Sequence, residues 1–209
     1  RASSRFSRRP GAVAAWLRAA EIAAQTVETE PFDPPMFMAA LGKARGLTMA
    51  PDPASFIETL RNLCAKSGVA VVLVPAPGGC PIRGACQWIT SDRALIALSL
   101  RHQTNDDFWF TFFHEAGHIL LHGRKARHVD LAEPTALDDA SEREADRFAA
   151  DHLVPPSDAA TLSSLRFDER TVRAFAARVG IAPGIVVGRL QKEKLLPWNR
   201  LNKLKVSYL

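Results

Sequence analysis

The chain has 209 residues, of which 47% are hydrophobic and 23% charged, and its formal net charge is +5. This composition is typical of a folded globular protein and excludes a disordered chain. No apolar run approaches the ~20 residues that a membrane helix requires, and three cysteines in a chain of this size do not indicate a disulfide framework. We therefore expect a cytoplasmic protein with free thiols and no membrane partner.

Basic residues concentrate at the two ends of the chain. They are either solvated helix faces or a surface for an acidic partner, nucleic acid included. The opening segment RASSRFSRRP is basic but has no apolar stretch after it, so it is not a secretory signal. It also lacks an initiator methionine, and we expect the natural chain to continue upstream of Arg1.

The first half of the chain is predicted to contain three helices and then three strands. Apolar residues recur at helical spacing in the helices, whereas the strands are short β-branched or apolar runs bounded by glycine and proline. The predicted helices span residues 11–27, 35–45 and 54–67, and the predicted strands span residues 69–74, 84–90 and 94–100. A short turn separates the last two strands, which favours an antiparallel hairpin.

A helix over residues 104–122 is apolar nearly all round, which predicts the buried central helix of the protein. A polar linker follows over residues 124–140, and then a helix over residues 141–153. Two further helices, 168–179 and 183–194, flank a turn at Gly180. We therefore expect an α+β fold in which a small, mostly antiparallel sheet packs on the central helix. A helical N-terminal extension and a C-terminal helical hairpin complete it.

The central helix carries the sequence HEAGH, in which His114 and His118 are four residues apart. Both imidazoles then project from one face of the helix, and their nitrogens can bind one Zn²⁺ at about 2.0–2.1 Å. Glu115 lies beside the metal and can take a proton from the water that zinc activates. Placing these side chains on a buried stripe without a metal would be unfavourable, which argues against a chance match. The motif predicts a zinc-dependent peptidase with Glu115 as its catalytic base.

A third ligand is expected on the next helix, where Glu142 and Asp146 are four residues apart and share a face. One of them can bind the zinc, with Glu142 as the best candidate, while the other accepts the free N–H of a ligand histidine. Glu144 points elsewhere, and we expect it to be a solvated charge. Four carboxylates of the polar linker are weaker candidates because nothing fixes their geometry: Asp130, Glu133, Asp138 and Asp139.

His122 continues the series on the central helix, but three such positions span about 12 Å, too far to share one tetrahedral ion. We predict a structural or ligand-orienting role for it. The sequence does not choose which group stabilises the oxyanion, and it leaves four candidates open: His102, His128, His152 and Tyr208.

Two further hypotheses concern the strands before the central helix. Residues 94–100 are predicted to bind the substrate as an added peptide strand. Cys80 and Cys86 lie on the same hairpin, and a thiolate there would close the open zinc position. The alternative is that both cysteines are small buried residues without a role.

The segments HEAGHILLHG and SEREADRFAADHLVPP together resemble the ImmA/IrrE metallopeptidases, from about residue 65 to the C-terminus. The resemblance implies a gluzincin-like fold with His114, His118 and Glu142 as zinc ligands and Glu115 as the base. It also implies that the substrate is a helix-turn-helix repressor, whose cleavage releases stress, mobile-element or defence genes. Many relatives carry a DNA-binding domain ahead of the peptidase. Asp146 departs from the asparagine of many relatives, but it is an equally competent orienting group.

The predicted organisation is then a helical N-terminal extension over residues 1–64, a zinc metallopeptidase core over 65–160 and a C-terminal hairpin and tail over 161–209. The main alternative is a DNA-binding regulator that uses residues 172–192 as a helix-turn-helix and the peptidase fold as a sensor. The second helix of that segment is apolar and has few base-reading side chains, so we favour a hairpin that packs on the peptidase core.

Overall fold

A computed structural model describes residues 10–78, 80, 82–100, 104–122, 128–131 and 140–208. Its helices are α1 (Pro10–Gln25), α2 (Pro34–Leu47), α3 (Pro53–Ala65), α4 (Asn105–Leu121), α5 (Ala140–Leu153), α6 (Pro156–Ala159), α7 (Glu169–Val179) and α8 (Pro183–Lys192). Its strands are β1 (Val69–Leu73), β2 (Ile82–Thr90), β3 (Arg93–Leu98) and β4 (His128–Leu131). Short 3-10 turns cover Leu162–Ser164 and Asn202–Leu204.

The helices begin and end at the residues that local chemistry favours. The side chains of Asp33, Asp52 and Asp168 each accept a backbone N–H three residues further along, and so cap α2, α3 and α7. Gly180 ends α7 in the left-handed conformation, with φ at 78°. The predicted turn at Gly180 is therefore confirmed.

The strands form one sheet in the order β1-β3-β2-β4. β2 is antiparallel to both β3 and β4, which confirms the predicted hairpin, whereas β1 pairs with β3 in parallel. β3 is therefore an inner strand with both edges paired, and the prediction that residues 94–100 bind an added peptide strand is wrong. β4 lies within the segment predicted to be a polar linker, since four residues are too few to reveal a strand pattern.

Two hydrophobic cores lie on opposite faces of this sheet. On one face α4 is central, and its aromatic side chains share a core with residues of α2, α3, α5, α7 and α8. On the other face α1 covers the sheet, where the indole Nε1 of Trp16 donates a hydrogen bond to the carbonyl of Val74 at 3.0 Å. The predicted α+β class, with a mostly antiparallel sheet on a central helix, is confirmed.

The N-terminal helices take part in the main core. Phe37 of α2 and Phe56 of α3 are fully buried in it. Arg45 of α2 donates hydrogen bonds to the carbonyls of Leu153 (3.1 Å) and Val179 (2.5 Å), where α5 and α7 end. A cation at a helix C-terminus is favourable because it meets the negative end of the dipole. The division at residues 64 and 160 stays a prediction, while residues from all three ranges share this core.

The C-terminal helices α7 and α8 meet at 108°, an angle compatible with a helix-turn-helix. Most of α8 is nevertheless buried against the start of α4, where a Cβ on Gly184 or Gly188 would collide with Asn105 or Asp106. This packing favours the interpretation of the pair as a hairpin on the peptidase core. In the described part of the chain no single helix has the length and apolar character of a membrane span, and only α7 and α8 taken together, as a bent pair, meet those two criteria.

Candidate metal centre

Three side chains from two helices converge on one point. His114 and His118 of α4 are 5% and 2% exposed, and their Nε2 atoms lie 3.0 Å apart. The carboxylate of Glu142, in the first turn of α5, lies 3.2 Å from Nε2 of His114 and 3.4 Å from Nε2 of His118. Among the described residues these three form the group that could hold a metal ion.

The separations fit a tetrahedral cation. Ligands at about 2.0–2.1 Å from a tetrahedral ion lie about 3.3–3.4 Å from one another. The observed 3.0–3.4 Å matches the edges of such a polyhedron. Two histidines and one carboxylate are also a donor set of catalytic zinc sites, which keep the fourth position open. The chemistry and the geometry of these residues therefore fit the predicted metal.

The outer nitrogen of His114 is held by α5. Its Nδ1 lies 3.0 Å from Oδ1 of Asp146, while Glu142 lies beside Nε2 of both histidines, so the two carboxylates contact opposite sides of the His114 ring as the sequence predicted. The two helices can approach closely because small residues meet: a Cβ on Gly117 would lie 3.3 Å from the Cα of Ala145. The glycine of HEAGH thus sets the distance at which Glu142 reaches the histidines.

The outer nitrogen of His118 meets a different partner. Its Nδ1 lies 2.8 Å from Nδ1 of His122, and Nε2 of His122 lies 3.1 Å from Oε2 of Glu144. The expected ligand-orienting position of His122 agrees with these contacts. The expectation that Glu144 is only a solvated charge is wrong, because the crossing of α4 and α5 brings it to His122 although 64% of its side chain is exposed.

Glu115 is fully buried and faces the sheet. A Cβ on Gly84 of β2 would lie 3.1 Å from Oε1 of Glu115 and 2.5 Å from Cγ2 of Thr111. Gly84 therefore leaves the space that the Glu115 carboxylate occupies. In the sequence, Gly84 is the first residue of a predicted strand, and a glycine inside a strand often marks a close approach of another element.

Phe110 and Lys192, the last residue of α8, lie next to His114 and Asp146. The rings of Phe110 and His114 have centroids 6.2 Å apart. Nζ of Lys192 lies 5.9 Å from the Phe110 centroid and 3.9 Å from Oδ2 of Asp146. Because 66% of the Lys192 side chain is exposed, we expect this ion pair to contribute little to stability. Nothing in the sequence pattern indicated that α8 reaches the site.

Of the four candidates for oxyanion stabilisation, the structure describes the surroundings of two, Tyr208 and His152. Tyr208 is buried in the aromatic core, where its hydroxyl accepts a hydrogen bond from Trp109 at 3.0 Å. Burial, the largest cause, raises the pKa of Tyr208 to about 12. His152 stacks on Phe148, with centroids 4.3 Å apart, and its burial lowers its pKa. His102 and the side chain of His128 lie outside the described residues, as do the weaker ligand candidates Glu133, Asp138 and Asp139 and the side chain of Asp130.

The two hairpin cysteines lie in different cores. Cys80 packs in the core beneath α1, whereas Cys86 packs in the core around α4. The structure therefore does not bring Cys80 to the metal cluster. A restraint of the zinc by Cys86 stays a prediction.

A family model named Peptidase M78 and described as the IrrE N-terminal-like domain matches residues 66–191 of this chain. The matched range is more than half of the chain and contains the whole sheet, α4, α5 and all but the last residue of α8. It confirms the resemblance to the ImmA/IrrE metallopeptidases. No curated protein matches the chain closely enough to add to this finding.

Proposed function

Because the chain belongs to the Peptidase M78 family of IrrE-like metallopeptidases, we propose that it is a zinc-dependent endopeptidase whose metal is held by His114, His118 and Glu142. The observation that carries this proposal is the convergence of three donor groups at separations of 3.0–3.4 Å. When bound, zinc would supply a Lewis acid that activates water at neutral pH.

Glu115 is proposed as the general base. Its carboxylate would accept the proton of the attacking water and deliver it to the amine of the departing peptide fragment. β2 packs closely on this carboxylate at Gly84, where a Cβ would lie 3.1 Å from Oε1 of Glu115. A buried carboxylate that is already in position does not have to be reorganised when the proton moves. A preformed site of this kind lowers the activation free energy of the reaction.

The substrate peptide is proposed to bind along β4. β4 pairs with β2, and Gly84, which touches Glu115, stands opposite Asp130 of β4. The outer edge of β4 has no partner strand among the described residues, so its backbone groups can pair with an extended peptide. This binding mode requires an unfolded or loop segment in the target. We infer from the family that the target is a helix-turn-helix repressor of stress, mobile-element or defence genes.

Metal analysis tests the site. The purified protein should contain about one zinc per chain. His114→Ala and Glu142→Gln should lose most of it, whereas Glu115→Gln should retain the metal and lose about 10²–10⁴-fold in cleavage rate, because it removes only the base. Full zinc content in Glu142→Gln would move the third ligand to another residue.

Co-expression tests the substrate. The chain is produced together with candidate helix-turn-helix repressors, and their cleavage is followed by mass spectrometry of the intact proteins. Glu115→Gln, which should keep the fold and the metal, is the matched control. Cleavage that is equal with Glu115→Gln would come from another protease and would contradict the proposal.

A further inference from the structure

The Nδ1 atoms of His114 and His118 have different kinds of hydrogen-bond partner. Behind His114 stands a carboxylate, that of Asp146, at 3.0 Å from Nδ1. Behind His118 stands another imidazole, that of His122, at 2.8 Å between the two Nδ1 atoms. His122 directly follows the last residue of α4 and is its C-cap, and its backbone N–H also donates to the carbonyl of His118 at 3.1 Å. His122 is therefore fixed to the same residue through both its backbone and its side chain.

The hydrogen atoms along this chain of contacts have one consistent order. If Nε2 of His118 offers its lone pair to a metal, its proton must be on Nδ1, which then donates to Nδ1 of His122. Nδ1 of His122 must be the acceptor, so the proton of that neutral imidazole is on Nε2. That Nε2 lies 3.1 Å from Oε2 of Glu144, a carboxylate oxygen that accepts the hydrogen bond.

We propose that His122 and Glu144 are positioning residues that hold His118 in its metal-binding tautomer, an inference that rests on the proposed metal centre. Glu144 selects the tautomer of His122, and His122 then selects the tautomer and ring orientation of His118. Partners behind a ligand histidine typically change metal affinity by about 10–100-fold when they are removed. Because Glu144 is largely exposed and two contacts away from the metal, its effect should be smaller than that of His122.

Zinc affinity, measured by competition with a chromogenic chelator, tests the proposal without any substrate. His122→Leu should raise the zinc Kd by about 10–100-fold. His122→Asn should recover a good part of this loss, because the amide oxygen of asparagine can lie near the position of Nδ1 and accept from His118. Glu144→Ala should weaken binding by less than about tenfold, and Glu144→Gln, which keeps an acceptor oxygen, by less again. The matched control is Asp151→Asn, a carboxylate near the other end of the same helix, nine residues after Glu142.

The spectroscopic signature is a second readout. In zinc-loaded protein with ¹⁵N-labelled histidine, the His118 signals should report a protonated Nδ1 and a metal-bound Nε2, and His122→Leu should broaden or shift them. Equal zinc affinity in the unmodified protein, His122→Leu and His122→Asn would overturn the proposal, and so would equal weakening by Leu and Asn. If Glu142→Gln also binds zinc as the unmodified protein does, the metal centre itself has been placed wrongly, which is a different failure.

Discussion

Gly84→Ala is the smallest change that should separate the metal from the chemistry. It adds one methyl group on β2, in the gap between the sheet and α4. That methyl would lie 2.5 Å from Cγ2 of Thr111 and 3.1 Å from Oε1 of Glu115. The three nearest atoms to it belong to Thr111 and Glu115, and none belongs to His114 or His118. The substitution therefore acts first on Thr111 and on the proposed base, and any effect on the proposed ligands comes only through a shift of α4.

The magnitude follows from the two contacts. A carbon–carbon distance of 2.5 Å is too short to persist, so α4 or β2 must shift. Forcing one extra methyl into a packed core typically costs about 1–3 kcal/mol. In a chain of this size each kcal/mol lowers Tm by about 2–4 °C. Displacement of a catalytic group by about 1 Å can lower the rate about 10²-fold. We therefore expect a folded, metal-binding protein with a strongly reduced kcat.

The assay combines thermal unfolding, zinc content and the cleavage rate of an identified substrate. Gly42→Ala is the matched control, because a Cβ there meets nothing within 4 Å and the exposed helix should gain about 0.5–1 kcal/mol. Adding Thr111→Ser to Gly84→Ala removes the Cγ2 atom that causes the closest contact, and should restore most of the stability. A Gly84→Ala protein with unchanged Tm and unchanged rate would refute the close packing of β2 on α4.

Three further predictions concern stability. Tyr208→Phe should lower the free energy of unfolding by about 1–3 kcal/mol in urea titrations, because it leaves the buried Nε1 of Trp109 without an acceptor. Lys205→Met should lower it by about 3–5 kcal/mol, because Lys205 pairs at 2.6 Å with Asp106 and both side chains are nearly buried. Burial lowers the pKa of His152, so the unfolded chain binds a proton there more readily than the folded protein does. The free energy of unfolding should therefore fall as the pH drops below about 6.5. His152→Phe should remove this part of the loss in unfolding curves recorded across that pH range.

Features that depend on spacing along one element could be predicted from the sequence. The four-residue separation of His114 and His118 fixes their common face before any tertiary structure is known, and the same holds for Glu142 and Asp146. The contact of Asp146 with His114 followed from that rule. The contact of Glu144 with His122 did not, since it depends on how α5 crosses α4, and helical periodicity carries no information about the crossing.

In the sheet, too, only the pairing of strands that are neighbours in the sequence could be predicted. The hairpin of β2 and β3 follows from their short connection. The parallel pairing of β1 with β3 joins strands that are separated in the sequence by β2, so no local pattern indicates it. Without it, residues 94–100 looked like an edge that could receive a peptide. β4 has four residues and follows a polar stretch, so its pattern is too short to distinguish a strand from a loop.

Part of the support for the start of α4 comes from residues beyond the range that the family model matches. That range ends at residue 191. The backbone N–H of Asn105 donates to the carbonyl of Val206 at 2.7 Å, and the N–H of Val206 donates to the Asn105 side chain at 3.1 Å. The first N–H groups of a helix have no partner within the helix, so those buried at the start of α4 need partners from elsewhere. Val206 supplies the acceptor for the N–H of Asn105, so the position of the proposed ligand His114, nine residues along α4, depends in part on the C-terminal segment.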